Sequence, residues 1–253
     1  MIKLNFCLFV TVLLGFYSFA IADDSASEFN SYVEQLEQTP SYAYPYGQLA
    51  DHLAQEGKAS LLLFSYGSLI DEGSASRTLS AKALASRRPA VAFGVKRTFD
   101  RDVPIVATSR WGVPCHPDAR GMLNVQKTER PEDFINGVLV DLPLGDIGAL
   151  LDREKGYDLV PVIVTQWETF LVGDNHYQIA YILQAHPEGH YVNAHILPRP
   201  GYYELTRDAT KQFGPLFEFM WHQSTFMSDG VTPISVWEMW LQEKACMTDT
   251  KSK

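Results

Sequence analysis

Residues 61–70 read LLLFSYGSLI and carry the clearest signal for the fold of this chain. Residues 61–65 form a short apolar run that ends in serine and lies between Gly57 and Gly67. A run of this length between glycines favours a buried strand over a helix. The strand passes directly into residues 66–69, where we expect a tight turn with a positive φ at Gly67, an angle that glycine adopts without strain. Backbone N–H groups in such a turn can point together and bind an anion, although an isolated turn is more often only a bend.

Further short apolar runs, each typical of a strand, lie at residues 90–94, 105–107, 134–142, 160–167, 169–172 and 177–184. Helical patterns lie at residues 27–38, 48–55, 144–155, from 202 onward with a break at 214–215, and 235–244. Many strands with few long helices between them predict an α+β fold. We expect a closed or strongly curved, barrel-like mixed β-sheet with flanking short helices.

The helical pattern at residues 144–155 contains a second candidate site. It ends at Gly156, and Glu154 lies at its C-terminal end. The negative end of the helix dipole disfavours an ionised carboxylate there, which suits a group that both accepts and returns a proton. A charged string at the end of a helix is more often only a solvated surface, so this signal alone is weak.

The charge balance argues against nucleic acid as a partner. The chain has 21 Lys and Arg against 30 Asp and Glu, a formal net charge of -9. No basic cluster is longer than the pair at residues 87–88. Nucleic acids and anionic membrane surfaces are bound by clustered basic side chains. We therefore expect no nucleic-acid partner, and contact with a membrane only if the N-terminal segment is uncleaved.

Residues 1–22 resemble a secretory signal peptide, because Lys3 precedes an apolar run that ends in Ala-Ile-Ala before Asp23. This predicts an exported protein, periplasmic or secreted, whose mature chain begins at Asp23. An uncleaved anchor is the alternative, since residues 4–22 come close to the length that crosses a bilayer. The rest of the chain divides into a helical N-terminal extension (23–58), a main domain (59–215) and a helical C-terminal tail (216–253).

The cysteines and histidines give weaker signals. Cys115 and Cys246 would remain in the exported chain, and the sequence is equally compatible with one disulfide between them and with two free thiols. His186, His190 and His195 suggest a metal site, but no carboxylate motif completes a ligand set. We therefore expect no metal.

Five strings of the sequence are informative in combination: FSYGSLI (64–70), VKRTF (95–99), GVLVDLP (137–143), LDREKGY (151–157) and PRPGY (198–202). In this order and separation they resemble the γ-glutamylcyclotransferase family, most closely its glutathione-specific, ChaC-like branch. The similarity covers about residues 61–214. The chain departs from the branch in having one glycine, Gly156, before Tyr157 where two are usual. It also departs in having an apparent signal peptide, whereas the family is generally cytosolic.

The resemblance implies an intramolecular reaction that needs no metal or cofactor. The α-amine of an L-γ-glutamyl group attacks its own γ-carbonyl, which releases 5-oxoproline and an amine or peptide. Glu154 would carry the proton between the two nitrogens. The substrate-binding residues implied for this small molecule are Tyr66, Gly67, Ser68, Leu69 and Tyr202. Two alternatives stay open: an exported, non-catalytic module of the same fold that binds γ-glutamyl or amino-acid ligands, and cyclotransfer on γ-glutamyl amines or amino acids instead of glutathione.

Overall fold

The computed structural model describes residues 23–104, 111–112, 114, 116–128, 130–186 and 191–243. Its strands are β1 (Ser60–Ser65), β2 (Arg88–Phe93), β3 (Val95–Asp102), β4 (Ala119–Lys127), β5 (Phe134–Pro143), β6 (Tyr157–Gln166), β7 (Gln178–Ala185), β8 (Leu197–Pro198) and β9 (Thr225–Phe226). Its α-helices are α1 (Asp23–Gln38), α2 (Leu49–Gln55), α3 (Glu72–Ala75), α4 (Ala81–Ala85), α5 (Ile147–Arg153), α6 (Trp167–Val172), α7 (Pro200–Thr210), α8 (Pro215–Gln223) and α9 (Ile234–Glu243). Single 3-10 turns, Leu144–Asp146 and Lys211–Phe213, precede α5 and α8.

Five strands close into a barrel in the order β1-β5-β2-β6-β7. Neighbours in this order are antiparallel, with Leu63 opposite Val140, and a parallel pairing of β1 with β7 closes the ring. The apolar side chains of Leu63, Val138 and Ile182 are fully buried. Closure leaves none of these strands as an edge. The predicted α+β class with a barrel-like mixed sheet is confirmed.

A second sheet has the order β8-β4-β3-β9, and the apolar pattern predicted none of its four strands. β9 lies within the pattern predicted as helical from residue 202 onward, so that prediction is wrong at residues 225–226. The polar residues Arg97, Thr98 and Asp100 of β3 are fully buried. Arg97 donates to Thr225 Oγ1 at 3.1 Å and to the backbone carbonyl of Asn136 in β5. Asp100 accepts a hydrogen bond from Thr98 Oγ1 at 2.9 Å. Burial of these three side chains is tolerated because each makes at least one hydrogen bond, although Arg97 Nε makes none. The bonds of Arg97 connect the second sheet to the barrel.

The strand predicted at residues 169–172 is wrong, because these residues belong to helix α6. Trp167 and Phe170, which are three positions apart, are buried, while Leu171 and Val172 are exposed. This spacing is that of a helix face. The helix ends at Gly173, whose φ of +73° is the left-handed conformation common after the last helical turn. The strand predicted at residues 105–107 lies outside the described residues.

The segments on both sides of the main domain pack on its core. Leu49 and Leu53 of α2, Trp221 of α8 and Trp237 of α9 are all buried. All four belong to one hydrophobic cluster with the side chains of the barrel. The division of the chain at residues 58 and 215 stays a prediction, but the three segments bury one shared core.

Two further predictions fall on parts of the chain outside the described residues. They are the signal peptide at residues 1–22 and the state of Cys115 and Cys246. Among the helices that the structure describes, none has both the length and the apolar character that a membrane crossing requires.

Candidate active site

One pocket lies where the chain leaves β1, where it leaves α5 and where it enters α7. It is lined by Ser65, Tyr66, Gly67, Ser68, Leu69, Leu123, Glu154, Tyr157, Leu183 and Tyr202. Its cavity volume is about 30 Å³, and the pocket is partly open to solvent. All the site residues selected from the sequence therefore face one pocket, although they come from three distant segments. Their roles stay predictions.

The turn at residues 66–69 follows β1 and is closed by a hydrogen bond from the Ile70 N–H to the Gly67 carbonyl at 2.9 Å. The positive φ expected at Gly67 is wrong, because Gly67 is absent from the described glycines that have one. A different constraint acts on this position. A Cβ at residue 67 would lie 2.8 Å from the hydroxyl oxygen of Tyr202, which is closer than packed atoms approach. Glycine is needed here for close approach, not for its backbone angle.

Tyr202 lies in the first turn of α7, which begins with Pro200, a residue whose fixed φ suits the start of a helix. Its ring is buried and packs edge-on against Phe99 and Trp111, with ring centroids 6.4 and 5.5 Å apart. Burial raises the pKa of its hydroxyl, and the nearby charge of Glu154 raises it further. Tyr202 is therefore a fixed and neutral polar group next to the turn.

Two more buried tyrosines form the wall of the pocket. The hydroxyl of Tyr66 donates to the Leu183 carbonyl at 2.6 Å, and that of Tyr157 donates to the Leu123 carbonyl at 2.8 Å. Burial raises the pKa of both hydroxyls well above its ordinary value. Both hydroxyl protons are thus held by backbone carbonyls, which leaves Glu154 as the acidic side chain among the residues that line the pocket.

Glu154 directly follows α5, and its backbone has left the helical conformation, with φ -101° and ψ 46°. Its N–H still donates to the Leu150 carbonyl at 2.9 Å, which fixes the residue to the helix end. The side chain is 16% exposed, and Arg153 Nε donates to its Oε1 at 2.9 Å. A charge-assisted hydrogen bond favours the ionised carboxylate, the form that accepts a proton. The sequence led us to expect that the negative end of the helix dipole disfavours the ionised carboxylate. The guanidinium of Arg153 acts in the opposite direction.

The chain after Glu154 is held by Arg101. Its Nη2 donates to the Lys155 carbonyl at 3.0 Å, and its guanidinium lies 5.2 and 4.4 Å from the ring centroids of Tyr157 and Tyr191. Gly156 has a φ of +79°, and a Cβ there would lie 2.9 Å from both Arg101 Nη2 and the Tyr191 ring. The single glycine of this string is thus required by its backbone angle and by the close approach of Arg101.

No protein-family model matches the chain, and no curated protein matches it. Several solved structures match. A γ-glutamyl cyclotransferase is 18% identical over 64% of this chain and 84% of its own, with a TM-score of 0.44. A γ-glutamyl cyclotransferase specific to glutathione from yeast is 14% identical over 66% of this chain and 98% of its own, with a TM-score of 0.45. An uncharacterized protein from Homo sapiens is 18% identical over 64% and 85%, with a TM-score of 0.45.

The similarity is one of fold. At these identities it does not separate one branch of the family from another, so the case for a function rests on the residues of the pocket.

The N-terminal extension reaches the back of the site, which the sequence did not predict. Tyr42 and Leu159 exchange both backbone hydrogen bonds, at 2.8 and 2.9 Å. The Tyr46 hydroxyl donates to the carbonyl of Tyr157 at 2.8 Å. Burial raises the pKa of Tyr46, and the nearby charge of Glu154 raises it further. The segment from Tyr42 to Tyr46 therefore supports the start of β6, three residues after the candidate base.

The sequence analysis did not predict four residues that line the pocket, or one residue that contacts its lining; these are Ser65, Leu123, Tyr157 and Leu183, and Arg153. Arg153 and Tyr157 stand in the same LDREKGY string as Glu154, so their position was the available signal. Leu123 and Leu183 had none, because they come from β4 and β7 and only the fold brings them to the pocket.

Among the described residues, no group of three or more side chains is placed to hold a metal ion. His186 Nδ1 lies 2.7 Å from Asp158 Oδ2, which gives it a protein partner. The backbone N–H of His195 donates to Asn193 Oδ1, and His190 lies outside the described residues.

Proposed function

We propose that this chain is a γ-glutamylcyclotransferase-type lyase that acts on a small L-γ-glutamyl compound, with glutathione and γ-glutamyl peptides or amines as the substrate class. The α-nitrogen of the glutamyl group forms a bond to the γ-carbonyl carbon, and the bond from that carbon to the leaving nitrogen breaks. One proton moves from the α-ammonium to the leaving nitrogen. The products are 5-oxoproline and a free amine or peptide, so the atoms balance without a cofactor.

One observation supports this proposal above all others. The turn at residues 66–69, the carboxylate of Glu154 and the hydroxyl of Tyr202 belong to separate strings of the sequence, and they line one small pocket. An ordinary bend, a solvated helix end and a core tyrosine would have no reason to share a pocket.

The proposed roles follow from the chemistry of ring closure. The turn at residues 66–69 binds the α-carboxylate through backbone N–H groups and holds the glutamyl chain in a folded form. Folding the chain places the amine next to the γ-carbonyl, which contributes a large part of the rate in an intramolecular reaction. Glu154 accepts the proton of the α-ammonium, which frees the lone pair for attack, and returns it to the leaving nitrogen. The neutral hydroxyl of Tyr202 adds a polar group beside the turn.

The proposed setting is outside the cytoplasm. It rests on the signal-like segment at residues 1–22, whose small residues precede Asp23. The intact mass of the protein purified from its producing cells tests this point. A chain that begins at Asp23 supports export, and a mass that includes residues 1–22 supports the membrane-anchor alternative.

The experiment that tests the function is incubation of the purified protein with glutathione and a panel of γ-glutamyl dipeptides and γ-glutamyl amines, with release of 5-oxoproline as the readout. An α-glutamyl dipeptide is the matched control, because its linkage cannot form the ring by the same attack. We expect release from one or more γ-glutamyl compounds and none from the control. Tight binding of a γ-glutamyl compound without any release would instead support the non-catalytic module.

A further inference from the structure

The side chain of Arg153 occupies an unusual position between the two halves of the candidate site. Arg153 is the last residue of α5, directly before Glu154, and its side chain is 13% exposed. All five N–H groups of its guanidinium donate to protein acceptors. The five bonds run from Nε to Glu154 Oε1 (2.9 Å), from Nη1 to the Ser74 carbonyl (2.7 Å) and Thr78 Oγ1 (2.9 Å), and from Nη2 to Ser68 Oγ and Ser74 Oγ (2.8 Å each).

These partners belong to three parts of the structure. Glu154 is the candidate base, Ser68 lies in the turn that follows β1, and Ser74 and Thr78 lie in and after α3. A guanidinium is planar, and its donors have fixed directions, so one side chain sets the relative positions of all its acceptors. Arg153 therefore links the carboxylate to the turn and anchors both to a segment outside the pocket.

An arginine in a site for a carboxylate substrate is usually interpreted as a direct ligand of that carboxylate. Here each of the five donors already has a protein acceptor within 2.9 Å. A substrate carboxylate could bind Arg153 only by displacing one of these bonds. Arg153 is also absent from the side chains that line the pocket. Its geometry fits support of the site rather than contact with the substrate.

We propose that Arg153 is a positioning residue, which fixes the carboxylate of Glu154 relative to the turn at residues 66–69 so that the base faces the amine of a bound γ-glutamyl group. This inference rests on the proposed function. It goes beyond that function because it states that one side chain, Arg153, sets the distance between Glu154 and the turn. The backbone of Glu154 is no longer helical, so the helix alone does not orient its side chain.

The test compares Arg153→Lys with a matched control, Arg88→Lys. Arg88 also pairs with a carboxylate, that of Asp141, at 3.0 and 3.3 Å, but neither residue lines the pocket. Lysine keeps the charge, yet its single ammonium has three donors and cannot reproduce the fork. At saturating substrate and well below the melting temperature, we expect Arg153→Lys to lower kcat about 10- to 100-fold. The change in KM should be smaller, and Arg88→Lys should retain the parental kcat.

A second variant, Thr78→Val, keeps the inference testable if Arg153→Lys does not fold. Thr78 accepts one bond from Arg153 and does not line the pocket, so its removal disturbs only the support of the guanidinium. We expect a fall in kcat of about 2- to 5-fold for this variant, since a small misplacement of a catalytic group slows the reaction.

The outcomes separate the inference from the proposed function. Folded Arg153→Lys with a kcat like that of Arg88→Lys overturns the inference alone, as does Thr78→Val with the parental kcat. A lower melting temperature with unchanged kcat shows a merely structural role and also overturns it. Parental protein that releases no 5-oxoproline from any substrate overturns the proposed function, and the inference fails with it.

Discussion

A methyl group on Gly67 would lie 2.8 Å from the hydroxyl oxygen of Tyr202, and its next neighbours, two atoms of Leu123, would be 3.9 Å away. The hydroxyl is thus the single close obstacle at this position. We expect Gly67→Ala to weaken the binding of a non-reacting γ-glutamyl analogue, because the methyl group displaces Tyr202 and narrows the pocket next to the turn at residues 66–69. Calorimetric titration measures the binding, with thermal melts in parallel. Gly73→Ala is the control, since a Cβ there meets only Asp71 Oδ1, at 3.4 Å.

Removal of the obstacle should reverse part of this effect. Tyr202→Phe deletes the hydroxyl and leaves the ring packed against Phe99 and Trp111. In the double variant the methyl group at residue 67 gains space, so Gly67→Ala should cost less stability in the Tyr202→Phe background than in the parent. A double-mutant cycle on the free energy of unfolding measures this coupling. Strictly additive effects would show that the two residues do not compete for space.

The N-terminal segment should contribute stability through Tyr46. Its hydroxyl donates to the Tyr157 carbonyl at 2.8 Å, and Tyr46→Phe removes that bond while the ring is kept. We expect a loss of about 1 kcal/mol in the free energy of unfolding, measured by denaturant titration. Tyr32→Phe, on α1, serves as the control. Equal stability of Tyr46→Phe and the parent would mean that this contact adds nothing in solution.

The buried tyrosines predict a loss of stability in alkali. Burial raises the pKa of Tyr157 well above its ordinary value of 10.0. Above pH 10 the unfolded chain releases this proton while the folded protein keeps it, so the free energy of unfolding falls as the pH rises. Below about pH 10 both states keep the proton of Tyr157, so the stability of the folded protein is not reduced by its ionisation. Between about pH 9 and 11 the parent should therefore lose stability more steeply than Tyr157→Phe. Parallel pH dependences in the two proteins would contradict this assignment.

The sequence predicts the barrel well because its strands are apolar. β1 and β5 are largely buried on both faces, so most of their residues are apolar, although Asn136 and Asp141 interrupt the run in β5. β3 was missed because Arg97 and Asp100 give it the appearance of an exposed segment, and only the fold supplies the partners that allow their burial. At α6 the prediction is wrong because residues 169–172 form a short, largely apolar run, which is typical of a strand. The helical spacing of Trp167 and Phe170 begins outside that run.

The residues of the site could be predicted where they lie in one of the five strings named in the sequence analysis. Residues 66–69, Glu154 and Tyr202 were found in this way, and they line one pocket. The reason for glycine at residue 67 could not be found, since it depends on a hydroxyl far along the chain. Arg153 stands next to Glu154 in the sequence, where a charged string is typical of a solvated helix end. A sequence cannot show that five acceptor atoms surround its guanidinium.

The kcat of Glu154→Gln for 5-oxoproline release tests directly whether Glu154 moves the proton. Glutamine has nearly the same shape and can still accept the hydrogen bond from Arg153, but it cannot take up a proton from the α-ammonium. Turnover should fall about 10²- to 10⁴-fold, while the melting temperature and the binding of a non-reacting γ-glutamyl analogue are retained. Glu168→Gln, on the exposed face of α6, should match the parent. A well-folded Glu154→Gln protein with near-parental kcat would show that Glu154 does not move the proton.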